Sequence, residues 1–379
     1  MAQKTTVTQG GGNIDSGRRA AMAKTGTTPR KVNTGGLHDR LNRISHWDLN
    51  VSDADRSRKW YEKHTELKVV CETSSHQDFP SLGITDGRFR GWLLKDPHQA
   101  GGFPMIHLVE WIDPAPVGQP YLSQANVGWY RLCPGVRDVA KARKKLEADG
   151  FQPFAPTTDT MAAFHPDIPA IPYKVFGVHD PDGITLEYVE FDNPQVPVLI
   201  ANNTADCDAH IGFYLDVLGL DFLQGTQTAG TVPNVYSPLG GDTELTGAFL
   251  GMRGETRTFF DWLQWTESVE YPTPYQEPTH LGIMRCTLEV DDLDRSYDAL
   301  LDAVGGKGEK ISLSEPEVWD FGPGFGAHRV INLTDFEGTR FQLIEQQESP
   351  FAGLHPLGDP FPETRKGTRK RSRSKKASK

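Results

Sequence analysis

Short stretches of alternating character dominate the chain. In VHDPDGITLEYVEF (178–191), Ile184, Leu186 and Tyr188 fall on one face of an extended segment, and Thr185, Glu187 and Val189 on the other. Pro181 and Gly183 favour a turn, so DPDG delivers this strand in a fixed register. A carboxylate in the middle of the second face then needs a reason other than packing. The same alternation runs through HWDLNV: His46, Asp48 and Asn50 share one face, opposite Trp47, Leu49 and Val51. His107 stands between Ile106 and Leu108 and so points away from an apolar face.

The pattern repeats. HWDLNVSDADRSRKWYEKHTELKVV (46–70) aligns with LIANNTADCDAHIGFYLDVLGLDFL (199–223). Asp53 matches Asp206, Trp60-Tyr61 matches Phe213-Tyr214, and Leu67 matches Leu220. Each half of this alignment predicts a strand, then a helix started by the Asp, then a turn into another strand. A second pair joins Gly128, Arg131 and Asp138 to Gly282, Arg285 and Asp292. DPDGITLEYVE (180–190) matches DFEGTRFQLIE (335–345), and Trp111 matches Trp265. These landmarks recur in order at a separation of roughly 155 positions, which predicts a tandem duplication. Each half holds two strand–helix–strand units.

Bulk properties narrow the class. The 379 residues suggest two domains of ordinary size, and 37% hydrophobic with 24% charged residues describe a water-soluble globular chain. No apolar run approaches the roughly 18–20 residues of a membrane span, and the N-terminal segment lacks a secretory core. The four cysteines show no CxxC spacing, so neither a zinc knuckle nor a disulfide framework is indicated, and a reducing cytoplasm fits. The formal charge is −10 although the last segment, RKGTRKRSRSKKASK, is almost wholly basic or small, so the folded body is more acidic than the total. That speaks against nucleic-acid binding by the body. The basic end reads as a solvated tail.

A strand–helix start followed by strands closing on DPDG-x-x-x-E resembles the vicinal oxygen chelate superfamily of glyoxalases, bleomycin-resistance proteins and extradiol dioxygenases. The resemblance covers roughly residues 41–348. It implies an α+β fold of paired βαβββ units forming cupped, incompletely closed barrels. The expected organisation is a disordered tail (1–40), a first module with a metal site (41–192), a second module with a degenerate site (193–348), and a C-terminal extension with the basic tail (349–379).

The family draws metal ligands from first and last strands. Carried over, this implies His46, His107 and Glu187 as ligands, although Glu110 competes with His107 by a slip of register and Glu187 could instead pair with Arg131. Two imidazoles and a carboxylate suit Fe(II), with Mn(II) or Zn(II) as alternatives. Arg131 stands where relatives use His or Glu; a guanidinium cannot ligate, so Arg131 is expected to fork onto an anionic substrate or onto Glu187. Glu187 and Arg131 are thus the expected catalytic pair, with Trp129 and Tyr173 lining the substrate. The equivalent positions of the second module are Leu199, Asp261, Arg285 and Gln342, which predict a metal-free copy with an Asp261–Arg285 ion pair. The implied function is a metal-dependent enzyme acting on a small oxygen-chelating molecule, with a dioxygenase narrowly ahead of a glyoxalase- or epimerase-like lyase or isomerase. A metal-free small-molecule binder of the resistance type is the alternative from another class. A homo-oligomer is compatible with the sequence.

Overall fold

The computed structural model describes residues 36–98, 104–121, 126–155, 157–162, 171–191, 197, 199–227, 232–233, 242–252, 258–265, 275, 277–305 and 311–345. Most of the expected N-terminal tail and all of the C-terminal extension lie outside this set. Part of the expected tail is packed: Leu37 is buried in the core and its amide donates to the Val217 carbonyl (3.0 Å).

Four units follow one another. The first is β1 (Leu41–Asn50), α1 (Ala54–His64), β2 (Lys68–Phe79), β3 (Ile84–Lys95) and β4 (Met105–Asp113). The second is β5 (Gly128–Cys133), β6 (Gly135–Val136), α2 (Val139–Ala148), β7 (Thr158–Ala162), β8 (Ile171–His179) and β9 (Thr185–Glu190). The third is β10 (Leu199–Asn203), α3 (Cys207–Asp216), β11 (Asp221–Gln227), the short β12 (Val232–Pro233) and β13 (Asp242–Thr243), β14 (Leu245–Gly251) and β15 (Phe259–Trp265). The fourth is β16 (Gly282–Val290), α4 (Leu293–Val304), β17 (Ser312–Leu313), β18 (Glu317–Asp320), β19 (Ala327–Thr334) and β20 (Arg340–Glu345).

The aspartates of the repeat do the same work in every unit. Asp53, Asp138, Asp206 and Asp292 are the N-caps of the four helices, accepting from the amides of Arg56, Lys141, Ala209 and Arg295. Each satisfies a donor that the first helical turn leaves open. The turns repeat as well. Asp180 Oδ1 accepts from the amides of Asp182 (2.9 Å) and Ile184 (2.8 Å), as Asp335 Oδ1 does from Glu337 (3.0 Å) and Thr339 (2.8 Å). Gly183 (φ 95°) and Gly338 (φ 96°) take the left-handed backbone these turns require.

Sheet pairing crosses the chain. One nine-stranded sheet runs β17-β19-β20-β16-β1-β4-β3-β2, with β18 on β19, and so joins the first unit to the fourth. The other runs β11-β14-β15-β10-β5-β9-β8-β7, with β6 on β9, and joins the second to the third. The boundary near residue 192 therefore separates units but not cups, since each cup takes one unit from either side of it. Register confirms the equivalence. Asp48 pairs with Arg285 and His107, while Ala201, its counterpart, pairs with Arg131 and Asp261. Consecutive units are tied through their helices instead: Tyr61 on α1 donates to Asp180 Oδ2 (3.0 Å), and Tyr214 on α3 donates to Asp335.

One large core holds Trp47, Leu49, Tyr61, Leu186, Tyr214, Phe260, Trp262 and Leu343, with residues of all four units. Separate apolar clusters fill the cups: Phe79, Phe89, Trp111, Trp319, Phe321 and Phe325 in the first, and Cys133, Val175, Leu199 and Phe259 in the second. No helix among the described residues is long and apolar enough to cross a membrane. Because the Tyr61 hydroxyl and the Asp180 carboxyl are both buried, Tyr61→Phe should lower stability by about 1–3 kcal/mol in chemical denaturation. A loss indistinguishable from zero would show that the link adds nothing.

Candidate functional site

His46 and Asp48 stand on one face of β1, and β4 runs parallel beside it with His107 level with Asp48. All three side chains are fully buried, and each offers a ligand atom within 4.8 Å of the others. Asp48 Oδ1 lies 2.6 Å from His107 Nδ1 and 3.6 Å from His46 Nε2. Its other oxygen accepts from the Nε of Arg285, whose guanidinium lies 4.4 Å from the Trp319 ring centre. Thr73 Oγ1 meets His107 Nε2 at 2.9 Å, and Ser45 Oγ meets His46 Nδ1 at 3.0 Å.

The electrostatics follow from burial and neighbours. Burial holds His46 down to about 3, against a smaller upward pull from Asp48, so its imidazole is neutral near pH 7. For Asp48, burial pushes the carboxyl up, but Arg285 and the two histidines together hold it well below the usual carboxylate range. The group is therefore a neutral donor beside a permanent carboxylate. Aromatic rings enclose it: Phe325 lies 5.9 Å from His46, while Phe321 and Phe89 lie 5.9 Å and 6.0 Å from His107.

A divalent cation fits this donor set. His46 Nε2 is buried with no hydrogen-bond partner and faces Asp48 Oδ1 just beyond hydrogen-bonding range. Ligands on one metal with bonds of about 2.1 Å sit roughly 3.0–3.4 Å apart, and the separations of 2.6 and 3.6 Å from Asp48 Oδ1 bracket that span. His46, Asp48 and His107 would hold the ion, with the His107–Asp48 hydrogen bond giving way to it.

The second cup is built differently. Arg131 on β5 is buried and reaches Glu187 on β9 (Nε to Oε2, 3.5 Å) and Asp261 on β15 (Nη2 to Oδ2, 3.3 Å). Cys133 Sγ lies 3.5 Å from Glu187 Oε2. Burial raises the Asp261 carboxyl to about 7, with Arg131 pulling it down and Glu187 pushing it up. Burial also drives the Cys133 thiol well above its ordinary value.

Several expectations are corrected. His46 and His107 do meet, but Glu187 stands in the other sheet, because the second unit pairs with the third and not with the first. Its partner is Arg131, so Glu187 does not complete the set, and the third donor is Asp48. Arg285 pairs with Asp48 rather than with Asp261. Trp129 is a core residue among Phe260, Trp262 and Phe341, with Nε1 donating to the Arg340 carbonyl (3.0 Å). Tyr173 lies on β8, and its side chain falls outside the described residues. Glu110 faces α1, where it accepts from the Ala54 amide (2.8 Å) and from Arg90. Asp48 shared the alternating face of His46 in the sequence, and that was the signal for it.

Asp261 gives a pH test. The unfolded chain ionises this carboxyl at its ordinary value of 3.8, whereas the fold keeps the proton up to about 7. Its contribution to stability therefore falls as pH rises across that window. Asp261→Asn removes the titration. Relative to wild type, the variant should gain stability from pH 4 to 7, by up to about 4 kcal/mol. Parallel stability–pH curves would contradict this.

Fold and site together define a tandem of βαβββ units with a buried His–Asp–His group in one cup. Residues 43–188 match the model of the Glyoxalase/Bleomycin resistance protein/Dioxygenase superfamily. Glyoxalase I from Zea mays is similar in structure, with a TM-score of 0.56 and 18% identity, covering 80% of this chain and 92% of that one. A point variant of that enzyme gives a TM-score of 0.58 and 17% identity over 82% and 94%. A candidate dioxygenase from Bacillus subtilis gives 0.52 and 13% over 83% and 88%. At these identities the likeness is one of fold. No sequence among curated proteins matches.

Proposed function

We propose that the protein is a metal-dependent enzyme acting on a small molecule that presents two neighbouring oxygens, with oxygen-dependent chemistry ahead of isomerisation or lysis. The observation that carries this is the buried group of two histidines and one carboxylate, with His46 Nε2 unpartnered. Such a donor set with open positions suits Fe(II) ahead of Mn(II) or Zn(II). Bound there, the ion would supply Lewis acidity and sites for substrate oxygens. The chain's own residues set the rest. Asp48, held by Arg285, stays ionised and is a poor proton acceptor, which argues against the proton shuttling that a glyoxalase- or epimerase-like reaction needs. Phe89, Phe321 and Phe325 keep water from the group. Arg285 offsets the charge of Asp48, so a bound divalent ion would leave the group net positive and favour an anionic ligand. The acidic body and four free cysteines support a small-molecule partner and a reducing compartment.

The test is anaerobic reconstitution of chelator-treated protein with Fe(II), Mn(II) or Zn(II), followed by oxygen uptake with catechols and 2-oxo acids. Wild type should take up one equivalent of metal. His46→Ala should reduce affinity at least about 10-fold and lose oxygen uptake. A second reading rests on the Arg285–Asp48 ion pair and on the hydrogen bonds to both nitrogens of His107. These balance the group without a metal, and the protein would then be a metal-free binder. Metal content that never rises above background in wild type would favour that reading.

A further inference from the structure

The two cups have equivalent positions but opposite solutions to the same charge problem. Around the first stand His46, His107, Arg285 and Gln342; around the second stand Leu199, Asp261, Arg131 and Glu187. In the first, Asp48 lies level with the arginine and takes it up, leaving the histidines to face one another. In the second, the position of Asp48 is Ala201, which offers no carboxylate. Arg131 turns to Glu187 and Asp261 instead, and both are buried. Two carboxyl groups thus converge on one guanidinium, and Asp261 Oδ1, also buried, has no hydrogen-bond partner. Cys133 adds a neutral thiol at the position of Thr287. Carboxyl groups brought together away from water need a cation or a retained proton between them.

We infer that Arg131 is the built-in cation of the second cup: its guanidinium stands between Glu187 and Asp261 where a divalent ion would otherwise be required, so that this cup takes no metal while Arg131 is present. The arginine is a positioning residue, and its removal should expose a carboxylate site for a divalent cation, completed by Cys133 if the ion draws off its thiol proton. Such a site would accept Co(II) or Zn(II), which tolerate mixed oxygen and sulfur donors.

The inference is tested with full-length protein carrying His46→Ala, so that any metal in the first cup is silenced and the outcome does not depend on the proposed activity. Titrated with Co(II), this single variant should show no visible absorption from bound cobalt. Adding Arg131→Ser should lower the melting temperature by about 5–10 °C. It should also create one equivalent of cobalt binding and restore much of the lost melting temperature when Co(II) or Zn(II) is supplied. Arg131→Lys in the same background should take up no cobalt, because the charge stays. Adding Glu187→Gln and Asp261→Asn to Arg131→Ser should abolish cobalt binding. If Arg131→Ser does not fold in chelator, recovery of folded protein on refolding with Zn(II) supports the inference, and failure with and without Zn(II) overturns it. It is also overturned if Arg131→Ser folds but binds no cobalt. A His46→Ala variant whose second cup holds metal with Arg131 in place, lost on Glu187→Gln, overturns it equally.

Discussion

Asp48→Ala should abolish metal uptake and cost about 3–5 kcal/mol of folding free energy. Asp48 is fully buried and holds two groups at once, His107 Nδ1 through one carboxylate oxygen and the Arg285 guanidinium through the other. Truncation leaves a guanidinium in the cup with no counter-charge beside it, and such a group cannot relieve the problem by losing its proton. It also removes the anionic donor from the set. Asp48→Asn should keep the packing and lose the metal at a smaller stability cost. Urea denaturation paired with metal analysis reads both effects. A loss under about 1 kcal/mol for Asp48→Ala would mean that Arg285 finds other compensation.

Phe321→Ala is the second large effect. The ring is fully buried, 6.4 Å from His46 and 5.9 Å from His107, in a cluster with Phe89, Phe325 and Trp319. Its backbone is fixed on both sides: its carbonyl accepts from the Ser74 amide (3.0 Å) and its amide donates to the Gly326 carbonyl (2.9 Å). Gly322 follows with φ 85° against the Ser74 backbone, a close approach that a side chain would block. The loop cannot shift to fill the space, so truncation should cost about 3–5 kcal/mol through lost contacts and a cavity. That cavity opens directly over the histidines. Exchange of bound metal with a chelator should accelerate at least about 10-fold, an effect that destabilisation away from the cup would not produce. Unchanged exchange with full stability would show that the ring closes nothing.

Local devices were legible in the sequence because they are local. An Asp before an amphipathic segment caps a helix wherever the segment docks, and the DPDG and DFEG turns close through their own amides. Alternation put His46 and Asp48 on one face, which the strand keeps. Which units share a sheet was not legible, since β1 finds β16 across most of the chain and no nearby residue records that choice. Glu187 was grouped with the wrong histidines for this reason alone. Trp129 failed for a subtler one: alternation sets it on the face of Arg131, but a register shift between Ala201 and Asn202 interrupts the ladder there and the indole turns into the core.

The first cup, formed by the first and fourth units, is where the metal is proposed to bind. Crystals of protein reconstituted with Fe(II) under anaerobic conditions, measured at the iron absorption edge, test this most directly. One anomalous peak is expected within about 2.0–2.3 Å of His46 Nε2, an Asp48 oxygen and a His107 nitrogen, and none between Glu187 and Asp261. A peak in the second cup with Arg131 in place, or no peak at His46 in protein saturated with iron, would contradict this assignment.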